Sequence, residues 1–147
     1  MDASIEGNRG KPFRMVVEEG KVREFARAVK SANAAYVGDG PQATSPATFL
    51  ASASFWQARE NSPWGDATLN WARILHGEQE FVFPGPPPAA GTELRAEARI
   101  DRVYEKEGKR GGAMTFVELV TEYRDPSGAV VAESRSTIIE TSQAPGS

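Results

Sequence analysis

The sequence predicts an α+β domain in which a long central helix is wrapped by a curved antiparallel sheet. Three observations carry this. Apolar residues recur at helical spacing in the N-terminal half, the C-terminal half switches to strict alternation, and the longer helical segment is apolar around most of its circumference. Such a helix and a sheet with one apolar face bury their surfaces most simply if the sheet curls around the helix.

The first ten residues are polar and glycine-containing, so 1–10 reads as a flexible N-terminus, 11–141 as one domain and 142–147 as a flexible C-terminus. From Lys21 to Lys30, Val22, Phe25, Ala26 and Val29 share one face of an amphipathic helix. Ser45-Pro46 then supplies an N-cap and a first-turn proline, predicting a helix from Pro46 to about Glu60 that stops before Pro63. Ala47, Ala51, Ala53 and Ala58 with Ser52 and Ser54 give this helix small faces, while Phe49, Leu50, Phe55 and Trp56 supply bulk. Ile74–Phe83 is a candidate strand, followed by a stiff proline-rich interruption from Pro84 to Gly91. Leu94, Ala96, Ala98 and Ile100 alternate with Arg95, Glu97, Arg99 and Asp101, which marks a half-buried strand with a solvated charged face. After a turn at Gly108–Gly112, Thr115, Val117, Leu119, Thr121 and Tyr123 share one face of the next strand. Asp125-Pro126-Ser127-Gly128 turns the chain into a last strand, Val130 to about Glu140.

Composition narrows the function. Seventeen basic against 20 acidic residues leave no basic excess to neutralise phosphates, so nucleic acid is not the expected partner. No run approaches the ~20 apolar residues that span a bilayer, and the first residues lack the basic end and apolar core of a secretory signal. A cytoplasmic protein without membrane contact is the expectation. The chain has no cysteine and one histidine, His76, so no metal site or cofactor is expected, and acid–base chemistry would rest on His76, a carboxylate, a lysine or a tyrosine.

Four segments carry a family resemblance: Gly10-Lys11-Pro12-Phe13, Val22-Arg23-Glu24-Phe25-Ala26-Arg27-Ala28, Ser45-Pro46-Ala47-Thr48-Phe49 and Leu75-His76-Gly77-Glu78-Gln79-Glu80-Phe81. In order and spacing they resemble the N-terminal, FAS1-like half of MaoC-like dehydratases, in the stand-alone form of the A-type subunits of mycobacterial (3R)-hydroxyacyl-ACP dehydratases. The resemblance implies the hot dog fold and the reversible hydration of a trans-2-enoyl thioester to the (3R)-hydroxyacyl thioester. Active halves of that family carry Gly-Asp-x-Asn-Pro-x-His after the first helix, its aspartate and histidine acting on one water. The matching stretch here is Lys30-Ser31-Ala32-Asn33-Ala34-Ala35-Tyr36, in which Asn33 fits, Ser31 replaces the aspartate and Tyr36 the histidine. Serine is no base near neutral pH without an activating neighbour, and a tyrosine of ordinary pKa donates but does not readily accept a proton.

The reading is therefore a chain with no catalytic residue of its own, a subunit that binds the acyl chain of a CoA or acyl-carrier-protein thioester. It would form a homodimer, or a heterodimer with a catalytic hot dog chain. The alternative is an autonomous homodimeric hot dog protein that binds an acyl thioester or hydrates it weakly; a cone-shaped ketosteroid-isomerase-type barrel ranks below both. Tyr36, Phe49, Phe55 and Trp56 are the candidate substrate-binding residues, with ordinary core packing the competing reading for the aromatics. His76 reads first as a hydrogen-bonded structural residue, and Gly38-Asp39 as a turn. Trp64 and Trp71 read as loop or interface residues, and Lys106, Lys109 and Arg110 as a solvated hairpin tip or a contact for phosphates or an acidic carrier surface.

Overall fold

Five strands form one antiparallel sheet in a computed structural model that describes residues 3–37, 43–108 and 112–143. The strands are β1 (Phe13–Val16), β2 (Ile74–Val82), β3 (Glu93–Glu107), β4 (Ala113–Arg124) and β5 (Val130–Glu140), in the order β1-β3-β4-β5-β2. Two α-helices precede β2: α1 (Glu19–Ala28) and the single-turn α2 (Ala34–Val37).

The alternation in β3 works as expected up to Ile100, with Leu94, Ala96, Ala98 and Ile100 buried on the inner face. There a bulge between Ile100 and Arg102 shifts the register, so that Val103, paired with buried Val117, faces inward. The even-numbered Arg102, Tyr104 and Lys106 consequently point to the outer face. In β4 the odd-numbered face is the inner one, and Val117 and Tyr123 are fully enclosed. The turn into β5 is set by Asp125, whose carboxylate accepts hydrogen bonds from the Ser127 amide at 2.9 Å and hydroxyl at 2.6 Å and from the Ala129 amide at 3.1 Å. Gly128 sits at φ +89°, a conformation that side chains rarely adopt.

The long central helix predicted for Pro46–Glu60 is not formed. Instead a 3-10 helix covers Phe49–Phe55 and a separate 3-10 turn covers Arg59–Asn61. The segment is rich in serine and alanine, and the Ser52 hydroxyl donates to the Phe49 carbonyl at 2.7 Å, three residues back. Backbone bonds of the same span, Phe49 N–H to the Pro46 carbonyl and Trp56 N–H to the Ala53 carbonyl, tighten the segment at both ends. Nor is it enclosed all round: Phe49, Leu50 and Ala53 are buried, while Phe55 is 83% exposed.

The N-terminal residues expected to fray are docked along β3. Gly7 N–H donates to the Ile100 carbonyl, Ile100 N–H to the Asn8 carbonyl, and Gly10 N–H to the Ala98 carbonyl at 2.8 Å. Ile5 is buried with Ile100 and Val117, against which Trp64 packs. The main core joins β1, α1, the 3-10 helix and the inner face of β3–β5 through Met15, Val22, Phe49, Leu94 and Tyr123. The proline-rich stretch acts as a brace, because the Pro88 carbonyl accepts from Ser45 and the Ala90 and Gly91 amides donate to Ala43 and Val17.

Candidate functional site

The placement of Ser31, Asn33 and Tyr36, which the family resemblance aligns with the motif, follows directly from how α1 ends. Lys30 has φ +56°; its N–H donates to the Arg27 carbonyl, and Ser31 N–H donates to the Ala26 carbonyl, which is the paired bonding of a Schellman cap. Ser31 is thus fixed as the third residue past the end of α1. Its hydroxyl accepts from the Asn33 amide at 3.3 Å, and the Asn33 side-chain carbonyl accepts from Ala35 N–H at 3.0 Å, capping α2. Tyr36 lies half-buried on α2, and its amide donates to the Asn33 carbonyl. Ser31, Asn33 and Tyr36 thus share one short turn and helix, with the first two engaged by the backbone. The Gly38-Asp39 pair lies outside the described residues.

The aromatic candidates come together elsewhere. In a 3-10 helix, residues three apart lie above one another, so Phe49, Ser52 and Phe55 form a column. That column and Trp56 face Lys21, Glu24, Phe25 and Ala28 of α1 across an open groove of about 230 Å³. Phe25 meets Phe49 edge-on with ring centres 5.6 Å apart, and Phe49 meets Trp56 at 6.3 Å, so buried Phe49 is the floor and exposed Phe55 one lip. Tyr36, expected beside them, does not line this groove. Phe25 was legible only as part of an apolar helix face; its place in the groove depends on the approach of α1 to the 3-10 helix.

His76 lies on β2 opposite Ile138, on the inner face and exposed to solvent. Trp71 is 77% exposed and Trp64 half-buried. Lys106 stands 5.0 Å above the Tyr104 ring and 5.1 Å above Phe116; Lys109 and Arg110 lie outside the described residues. Among the described residues there is no cluster of three or more histidines and carboxylates placed to hold a metal.

The charged face of β3 is built into ion pairs within and between strands. Arg99 bonds Asp101 at 3.1 Å and Glu122 at 2.9 Å, and Arg124 reaches Glu122 at 2.6 Å. Burial pushes the Glu122 carboxyl up, but hydrogen bonds and charge from Arg124 and Arg99 outweigh it and hold the group below the ordinary carboxylate value. A carboxyl depressed on folding stabilises the native state above its unfolded pKa, and that contribution is lost as the pH falls through the native value. The urea midpoint is expected to decline as pH is lowered from the ordinary carboxylate range, with a shallower decline in Glu122→Gln.

The sequence matches the family described as FAS1-like, dehydratase domain region, over residues 4–134. A UPF0336 protein of Clavibacter michiganensis is 31% identical over 126 residues, covering 81% of this chain and 80% of that protein. A chain of the C-terminally truncated HadBC (3R-hydroxyacyl-ACP dehydratase) complex of Mycobacterium tuberculosis superposes with a TM-score of 0.73 at 26% identity, covering 95% of this chain and 98% of that one. The ChsH1-ChsH2 complex of the same organism has a chain that matches with a TM-score of 0.71 at 16% identity, over 97% of this chain and 91% of that one, a likeness of fold. The sheet and its short inner helix are thus a hot dog fold, and the chain belongs to the FAS1-like dehydratase domain family.

Proposed function

We propose that the chain is a non-catalytic, acyl-chain-binding subunit of a (3R)-hydroxyacyl-thioester dehydratase or trans-2-enoyl-thioester hydratase. It works with a hot dog partner that carries the intact Asp and His. The observation that carries this reading is the backbone engagement of Ser31 and Asn33 in the helix-cap turn that also holds Tyr36, where the family resemblance puts the acid–base pair. The HadBC and ChsH1-ChsH2 relatives are complexes, which supports assembly with a second hot dog chain. β2 ends the sheet with a nine-residue edge, beside exposed Trp71, and offers backbone groups to a partner strand.

In this reading the Phe25–Phe49–Phe55–Trp56 groove holds part of the acyl chain. Each methylene it takes from water contributes about 0.8 kcal/mol, roughly a fourfold gain in affinity. The test is hydration of crotonyl-CoA and longer enoyl-CoAs, followed by the loss of enoyl absorbance. The isolated chain is expected to give no turnover above background, and co-expression with a hot dog chain bearing Gly-Asp-x-Asn-Pro-x-His to give robust turnover. Robust turnover by the isolated chain would overturn the proposal, and its loss in Tyr36→Phe or His76→Ala would identify the group responsible.

A further inference from the structure

The outer face of the sheet changes character along its strands. Register aligns Arg99, Val120, Arg135 and Glu80 in one row across β3, β4, β5 and β2, and Arg102, Glu118, Thr137 and Glu78 in the next. The following row is Tyr104, Phe116, Ile139 and Leu75, an apolar band on an otherwise charged face. Tyr104 and Phe116 stack with ring centres 5.1 Å apart at 6°, Ile139 covers Gly77 at the β2 bulge, and Leu75 is 40% exposed. Among the described residues neither Arg102 nor Glu78 forms an ion pair; Arg102 rests over the Tyr104 ring at 4.7 Å.

We propose that this end of the outer face is an interface between two copies of this chain, packed back to back about a two-fold axis that runs along the strands between β4 and β5. The pattern of charge selects both the occupant and the axis. A two-fold along the strands keeps each row level while exchanging β3 with β2 and β4 with β5. It sets Tyr104 on Leu75, Phe116 on Ile139 and Arg102 on Glu78, each twice. A two-fold along the apolar row would instead lay Arg102 over Lys106, like on like. Packed sheets lie about 10 Å apart and cross at about 30°. β3 and β2 stand only about 7 Å from the axis, one and a half strand spacings, so this rotation displaces facing rows by about one residue, within reach of an arginine and a glutamate. The contact uses a face, leaving the β2 edge open to a different partner, and it does not depend on the proposed function.

Sedimentation velocity of the full chain, with variants and a cross-linking control, tests the proposal. Arg102→Glu and Phe116→Lys lie on inner strands away from the β2 edge and are each expected to weaken self-association at least tenfold. Arg102→Glu combined with Glu78→Arg is expected to restore it. Because the chain contains no cysteine, Tyr104→Cys and Leu75→Cys chains treated with a short bis-maleimide after mixing should give a covalent dimer that neither gives alone. Unchanged sedimentation in Arg102→Glu and Phe116→Lys, failure of the charge swap to restore association, or no mixed cross-link would each overturn the proposal. Failure of the proposed function would appear separately, in turnover with a catalytic partner.

Discussion

Phe49→Ala is expected to cost about 3–5 kcal/mol of stability, whereas Phe55→Ala should stay within about 0.5 kcal/mol of the parent. The two phenylalanines stand in one column of the same 3-10 helix, yet Phe49 is 1% exposed and Phe55 83% exposed. Removing the Phe49 ring opens a cavity beneath Phe25 and Trp56 and breaks both edge-on aromatic contacts. For a protein of this size the melting temperature should fall by on the order of 10 °C. Phe55 loses little on folding because solvent already reaches most of it, so its deletion should be visible in ligand binding. Under the proposed function, Phe55→Ala weakens binding of long-chain acyl thioesters several-fold and of acetyl thioesters hardly at all. Thermal unfolding and acyl-CoA titration of the two variants separate core packing from groove contact. Equal destabilisation by both would show that Phe55 belongs to the core.

Gly10→Ala should destabilise the protein by about 2–3 kcal/mol, while the same substitution at Gly20 should stabilise it by about 0.4–1 kcal/mol. A Cβ at Gly10 would overlap the backbone carbonyl of Asn61 and press on the Pro63 nitrogen at 3.1 Å. That carbonyl accepts from Lys11 N–H at 3.0 Å, and Gly10 itself donates to Ala98, so neither strand of backbone can retreat without breaking a hydrogen bond. Gly20 lies in α1, and a Cβ there meets nothing within 4 Å. Alanine therefore gains helix propensity at no steric cost. Urea unfolding gives both signs, and hydrogen exchange should show lost protection along residues 7–11 in Gly10→Ala.

The parts of the fold legible in the sequence are those governed by local period. β2, β4 and β5 appear close to their expected bounds because alternation and β-branched content act over a few residues, and the Asp125–Gly128 turn because its side chain bonds its own backbone; β3 starts where expected but runs past the bulge to Glu107, beyond the alternation read to Asp101. β1 escaped notice although Phe13 and Met15 alternate with Arg14, since four residues make a weak pattern. The helix expected over Pro46–Glu60 is replaced by a 3-10 segment in which Ser52 bonds back to the Phe49 carbonyl, with Phe49 and Leu50 buried and Phe55 left exposed. The candidate site divides the same way. Phe49, Phe55 and Trp56 do meet in one groove, while Tyr36 belongs to the α2 turn and lies outside it.

By itself the sequence determined the α+β class and the inner faces of β4 and of β3 as far as Ile100, because each is a matter of residue type or short spacing; that Ser31 and Tyr36 stand at the motif's aspartate and histidine positions is what the family resemblance implies. Tertiary structure alone decided that the N-terminal residues dock on β3, that Phe25 joins the aromatic groove, and that Arg102, Tyr104 and Lys106 turn outward past the bulge. Each of these depends on register or on the approach of distant segments. One inserted residue in a strand moves every later side chain to the other face, and nothing in the local pattern announces it.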